Sequence, residues 1–294
     1  MNIESYPAYF LFVRGNRSVQ DTGRGITTLR ATGSLKQGTQ VTTVPGISTN
    51  AFTLVGNPYA SPIDFDKIYK NTGTKGILRQ FTVWNSNLGT YGAYELVKWV
   101  GTNYAIVPYP FTDPADQNDR SRYISSGSGF FVQPVDNTGG TVTIREGHKA
   151  PNMTALVNPF RLIGKEMKLY VNLNLKNSDT SATLADGVLA RFGEGYNADM
   201  DEDDASKLPN LYENLSIVSN STDLMMETKP NIVQTDTVKL KLWNVSKKSY
   251  QFQLKADSFD SLSMHAWLED SYLKTKQEVK LNGDITTINF DVTS

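Results

Sequence analysis

Lys168-Leu-Tyr-Val-Asn-Leu-Asn-Leu-Lys176 is the stretch on which the reading of the fold turns. Leu169, Val171, Leu173 and Leu175 alternate with Lys168, Tyr170, Asn172, Asn174 and Lys176. Successive side chains of a strand point to opposite faces, so strict period two predicts a half-buried antiparallel strand, leucines inward and polar residues in water. The alternation recurs at Val188, Ala190 and Phe192, at Val238, Leu240 and Leu242, and at Tyr250, Phe252 and Leu254. Met264, Ala266 and Leu268, then Val279 and Leu281, then Ile288, Phe290 and Val292 carry it on. Many short strands separated by turn signals predict a β-sandwich.

Upstream, Tyr9 to Val13 is a short aromatic run that reads as a buried strand, and Thr27 to Thr32 and Thr39 to Val44 read as Thr-rich strands. Residues 80–84, 94–99 and 104–107 form a predicted meander, followed by strands at 127–132 and 141–145. Pattern weakens between Glu146 and Lys165, which divides the chain into an N-terminal β domain, 1–150, and a C-terminal β-sandwich domain, 151–294. The expected fold is all-β: two antiparallel β-sandwich-like domains with one or two very short helices. One helix is expected from Ile63 to Tyr69, with Ser61 as N-cap, Pro62 first and Asp64 third. Asp203 to Leu208 suggests a second helical turn. The chain shows no βαβ alternation, which argues against a parallel nucleotide-binding sheet.

Lys+Arg 29 against Asp+Glu 30 leaves a net charge of -1, so electrostatics make no case for nucleic acid or anionic membranes. Cys 0 removes disulfides, thiolate nucleophiles and cysteine-ligated zinc. No apolar run approaches the roughly 18 residues that span a bilayer. Met1-Asn-Ile-Glu lacks the basic and apolar regions of a signal peptide.

Glu194, Asp199, Asp201, Glu202, Asp203 and Asp204 form an acidic run without Lys or Arg. Asp199, Asp201 and Asp203 have the one-three-five spacing of a calcium loop, which makes calcium the one candidate cofactor. Position six is Asp204 instead of Gly and position twelve is Asn210 instead of Glu, so the match to that loop fails. The competing reading is a solvated loop with Asp203 or Asp204 capping the next helical turn. Trp84, Trp243 and Trp267 are out of phase with their apolar neighbours, hence candidate platforms for a glycan or a protein. No residue set is marked as catalytic. His148 and His265 read as surface histidines, no nucleophile elbow is present, and Glu95, Asp113, Glu194 and Glu269 are too unmarked to form a glycosidase pair. Gly23-Arg24-Gly25 and Gly127-Ser-Gly129 read as turns.

Leu54-Val-Gly-Asn-Pro-Tyr59, with Ser61, Ile63, Asp64 and Phe65, resembles a motif of large exported surface proteins of Bacteroidetes, where it precedes a type IX secretion sorting domain. Phe10 to Arg17, Thr28 to Gly33, Ser128 to Val132, Asp204-Ala-Ser-Lys-Leu208 and Trp267 to Asp270 match in the same order. The resemblance implies export to the cell surface or medium and a β-rich architecture; on it, the chain is a piece of a longer protein whose leader and sorting domain lie elsewhere. The expected role is non-catalytic: adhesion, glycan contact or spacing, by a monomer that does not insert in membranes and whose partners are glycans or surface proteins. The alternative is a carbohydrate-binding or accessory region of a polysaccharide-degrading enzyme.

Overall fold

The computed structural model describes residues 8–9, 32–48, 50–111, 122–150, 166–177, 181–260 and 262–293. The first elements are β1 (Gln40–Val44), β2 (Thr53–Gly56), β3 (Ile63–Asp64), α1 (Phe65–Tyr69), β4 (Gln80–Asn85) and β5 (Ala93–Trp99). Next come β6 (Tyr104–Val107), β7 (Tyr123–Ile124), β8 (Gly129–Val132), β9 (Gly140–Ile144) and a 3-10 turn at Glu146–His148. The C-terminal half holds β10 (Met167–Lys176), β11 (Ala182–Phe192), β12 (Ala205–Ser206), β13 (Asn214–Ser219) and β14 (Thr222–Lys229). It ends with β15 (Leu240–Trp243), β16 (Ser249–Asp257), β17 (Ala266–Asp270), β18 (Thr275–Val279) and β19 (Ile285–Asp291).

The fold is all-β, with several antiparallel sheets and one curled, mixed half-barrel sheet. A five-stranded sheet runs β2-β8-β4-β5-β6, and it contains the expected meander β4-β5-β6. The mixed sheet runs β15-β13-β14-β11-β10-β16-β19, with β12 on β14. Its one parallel ladder joins β11 to β14, from Leu189 opposite Met226 to Phe192 opposite Lys229. Three two-stranded pairs, β1-β9, β3-β7 and β17-β18, complete the described architecture.

Three apolar clusters hold these sheets. One lies under the five-stranded sheet and centres on Val55, Phe65, Phe81 and Phe130. A second lies inside the mixed sheet, around Val171, Leu173, Phe192, Leu215 and Leu254. The third joins the two sheets: Leu96 and Val107 from one, Tyr170, Leu189, Met225 and Met226 from the other.

That third cluster corrects the reading of β10. Of the residues expected in water, Lys176 is exposed and Lys168 half-buried, but Tyr170, Asn172 and Asn174 are buried, and the segment after β6 lies across Tyr170 and Asn172. The Tyr109 ring stacks on Tyr170 at 4.6 Å, and Asn172 Nδ2 donates to the Tyr109 carbonyl at 2.7 Å. Gly187 opposite is required by this approach: a Cβ there would sit 2.8 Å from Pro108 Cβ and 2.7 Å from Asn172 Oδ1.

Three local expectations also change. Helix α1 starts later than expected, because Ile63 and Asp64 pair with Ile124 and Tyr123, and Asp64 becomes the N-cap, accepting from Asp66 N at 3.0 Å. The turn expected at Asp203 to Leu208 contains the short strand β12 instead of a helix. Strands β13 and β14, unmarked by alternation, occupy the middle of the mixed sheet and meet in a two-residue turn at Asn220 and Ser221, both at positive φ. Apart from Tyr9 and Thr32, the strands expected at 9–13 and 27–32 lie outside the described residues, as do Gly23, Gly25, Asp113 and the boundary stretch 151–165. Among the described residues no helix is long and apolar enough to cross a membrane.

Asn57 shows how the Leu54 to Tyr59 corner is fastened. Its Nδ2 donates to the carbonyls of Ser61, Ile124 and Ser125 at 2.9–3.1 Å, and its Oδ1 accepts from Tyr59 N at 3.0 Å. Because a buried group left without its partner costs about 1–3 kcal/mol, Asn57→Ala should lower unfolding stability by about 2–4 kcal/mol. Urea titration should show this as a lower midpoint at unchanged slope.

Candidate functional site

The junction of the two sheets holds several of the buried charges among the described residues, Lys98, Arg191 and Asp204. Lys98 enters it from β5, with a residue exposure of 3%. Its Nζ donates to Gln80 Oε1 at 2.9 Å and to the Glu202 carbonyl at 2.6 Å, while Gln80 Nε2 donates to Gln133 Oε1. Glu202 belongs to the acidic run, so one ammonium from the N-terminal half holds the C-terminal loop by its backbone. Burial pushes the Lys98 ammonium down to about 8; Arg191 adds to this, and Asp203, Asp204 and Glu202 oppose it.

Beside it lies a groove of about 180 Å³ between β6 and β10, lined by Ala105, Tyr109, Lys168, Tyr170, Leu189 and Arg191 among others. Tyr109, Phe111 and Tyr170 form an aromatic cluster there, with centroids 4.6–6.2 Å apart. Arg191 Nη2 reaches Glu166 Oε1 at 2.5 Å and Tyr196 Oη at 2.7 Å, and Lys168 reaches Glu166 Oε2 at 3.1 Å. Burial, and then the Glu166 carboxylate, raise the Tyr196 phenol above its ordinary range. The groove is smaller than the roughly 300–1,000 Å³ of small-molecule sites. Its charged groups are engaged with one another, which suits a fastening better than a reaction centre.

A second hollow, of about 210 Å³, lies where the acidic loop meets the N-terminal half, lined by Asn50, Pro134, Val135, Met200, Glu202 and Ser206 among others. Of the predicted calcium residues Asp199, Asp201 and Asp203, Asp201 alone lines it. Asp201 Oδ1 accepts from Asp203 N at 2.9 Å, and its Oδ2 accepts from Asn197 Nδ2; Asp199 is exposed. Asp204 Oδ2 accepts from Asp201 N at 2.9 Å, and its Oδ1 accepts from Thr228 N at 2.7 Å, pinning the loop to β14. Burial holds that carboxyl above the usual carboxylate range. Among the described residues no group of three His, Asp or Glu side chains is placed to hold a metal ion.

The three candidate tryptophans sit on three different sheets and belong to none of the apolar clusters. Trp84 is half-buried against Tyr94 at 5.0 Å, and a Cβ on Gly92 would strike its indole at 2.6 Å. Trp243 lies under Lys241 Nζ at 4.8 Å, and Trp267, 47% exposed, under Lys276 Nζ at 4.8 Å. His148 is not a surface histidine. It is buried, its Nε2 2.9 Å from Asn71 Nδ2 and its Nδ1 accepting from Arg145 N at 3.1 Å. His265 is exposed, 3.7 Å from Glu278. Glu95 accepts from Asn85, Glu269 pairs with Lys276, and Glu194 is exposed.

Reading by sequence passed over the buried charges Lys98, Arg191, Asp186 and Lys207. Each interrupts or adjoins an apolar run, as Lys98 does between Val97 and Trp99, and that interruption is the signal that could have found them. A family model described as a domain of unknown function (DUF8693) matches residues 9–284. No curated protein and no solved structure matches the chain.

Lys98 yields a prediction with a definite sign. Its folded value of about 8 lies below the unfolded value of about 10.4, so the unfolded chain binds more protons between them. Stability from this group therefore rises with pH through that window. Relative to Lys98→Met, the wild type should gain about 2 kcal/mol of unfolding free energy between about pH 7.5 and about pH 9.5. Parallel denaturant titrations at the two pH values measure it.

Proposed function

The chain belongs to the DUF8693 family, and we propose that it is a non-catalytic module of a secreted or cell-surface protein, acting in adhesion, in glycan contact or as a rigid spacer. The observation that carries this reading is the use of the buried ionisable groups: Lys98, Asp204 and Arg191, the last through the half-buried Glu166, all fasten one part of the fold to another. A reaction centre needs such groups aimed at an open space where a substrate fits. We read the two halves as sandwich-like domains locked together, which suits a part that transmits force or sets a distance. The ordered motifs from Leu54 to Asp270 support export by the type IX route and residence on the outer surface, as a monomer whose partners are glycans or surface proteins.

A second reading, an accessory carbohydrate-binding region of a polysaccharide-degrading enzyme, draws on Trp267, whose exposed ring is available for stacking. Two assays on the purified protein separate these. Incubation with soluble polysaccharides should release no reducing ends; turnover that copurifies with the protein overturns the proposal. On a glycan array, silence counts against the second reading. A signal that falls about tenfold in Trp267→Ala is glycan contact through that ring, which both readings allow and a pure spacer does not, since aromatic stacking is worth about 1 kcal/mol or somewhat more.

A further inference from the structure

Asp186 and Lys207 are the most completely buried ion pair among the described residues, both side chains at 0% exposure. Lys207 Nζ lies 2.5 Å from Asp186 Oδ1 and 2.6 Å from Oδ2. The placement is built into the strand. The register of β10 on β11 shifts at Leu173 and Asn174, which face Asp186 and Leu184, so Ala185 is a bulge residue. A bulge re-aims the side chains beside it. Lys207 comes directly after β12, whose partner β14 is itself the parallel neighbour of β11.

A fully buried pair of this kind is expensive. Each ion loses several kcal/mol of hydration, and neither the cluster around Ala185 and Leu215 nor water supplies it here. The neutral pair, carboxylic acid and amine, avoids that cost, and one proton moving from Nζ to Oδ1 produces it. Burial raises the Asp186 carboxyl, which favours the protonated form. As an amine, Lys207 Nζ is a nucleophile within 2.6 Å of both oxygens of the Asp186 carboxyl group, and fixed proximity of this kind is worth very large effective concentrations. Leu215 N donates to Asp186 Oδ2 at 2.7 Å, and Gly187 N also donates to the carboxyl group. The Leu215 N–H is placed to stabilise negative charge on Oδ2 during addition.

We propose that Lys207 and Asp186 condense to an intramolecular amide cross-link. Nζ bonds to Asp186 Cγ, the Cγ–Oδ1 bond breaks, and Oδ1 leaves as water with one proton from the acid and one from the amine. Nothing is oxidised or reduced. The product is uncharged, closes the segment between β11 and β13, and supplies a covalent fastening that a chain with Cys 0 cannot obtain from a disulfide.

Intact-mass spectrometry of the purified, folded and then denatured protein tests this. The expected mass is one water below that of the sequence, and a protease digest should contain one branched peptide joining the Asp186 and Lys207 segments, with no tryptic cleavage after Lys207. Asp186-Gly187 can also lose water by closing to a succinimide, so the variants discriminate. Lys207→Met should restore the full mass, and Asp186→Asn should give the same branched peptide with loss of ammonia in place of water. A wild-type mass equal to the sequence overturns the proposal, as does a water loss that persists in Lys207→Met or is cleaved by hydroxylamine at Asp186. If a variant does not fold, the wild-type mass and digest decide alone.

Discussion

A sheet buried on one face can leave polar residues in water; a sheet buried on both cannot. The covering of the second face of β10 is the constraint on which the rest of this structure depends. Tyr170 and Asn172 lie beneath Tyr109 and its neighbours, and Leu96, Val107, Leu189 and Met225 close the same layer. Gly187 is needed so that Pro108 can approach, and Asn172 must donate to the Tyr109 carbonyl because no water reaches it. Not every polar atom is satisfied by this arrangement: Asn172 Oδ1 and Asn174 Nδ2 are buried without a hydrogen-bond partner among the described residues. The apolar contact of the layer offsets that cost.

Charge obeys the same logic. An ammonium at Lys98 is unfavourable in a layer this dry, and its depressed pKa expresses the penalty. The compensation is positional. Lys98 fixes the Glu202 carbonyl, Asp204 fixes Thr228, and Arg191 fixes Glu166 and Tyr196. Thus the acidic run, which in isolation reads as a solvated or metal-binding loop, becomes a clasp between β5 and β14. Buried ionic groups seldom add stability compared with well-packed apolar ones, but they discriminate strongly between one register and another.

Much of this was legible in the sequence, and the failures have physical causes. Strands with one wet face, such as β16, β17 and β19, carry their alternation openly because water selects polar residues at every second position. Leu224, Met225 and Met226 of β14 are buried on both faces, so no alternation marks them, and the central parallel ladder was missed with them. In β10 the period was right and the environment wrong, since Asn172 and Asn174 look the same whether water or a second sheet faces them. Asp64 illustrates the third case. By pattern alone it reads as the third residue of a helix capped by Ser61, but pairing of Ile63 with Ile124, sixty-one positions away in sequence, moves the start of the helix and makes Asp64 itself the cap. The site was less legible than the fold. Trp84, Trp243 and Trp267 announced themselves by phase and are scattered over three sheets, while Lys98 meets Glu202, Arg191 meets Glu166 and Asp186 meets Lys207 only once distant segments are assembled.

The central claim is that a shared interior makes the two sheets one cooperative body. Differential scanning calorimetry of the intact protein tests it most directly. The account predicts a single transition whose calorimetric and van't Hoff enthalpies agree, because neither sheet can expose the layer between them without the other. Two resolved transitions, each with the enthalpy expected of half the chain, would contradict it.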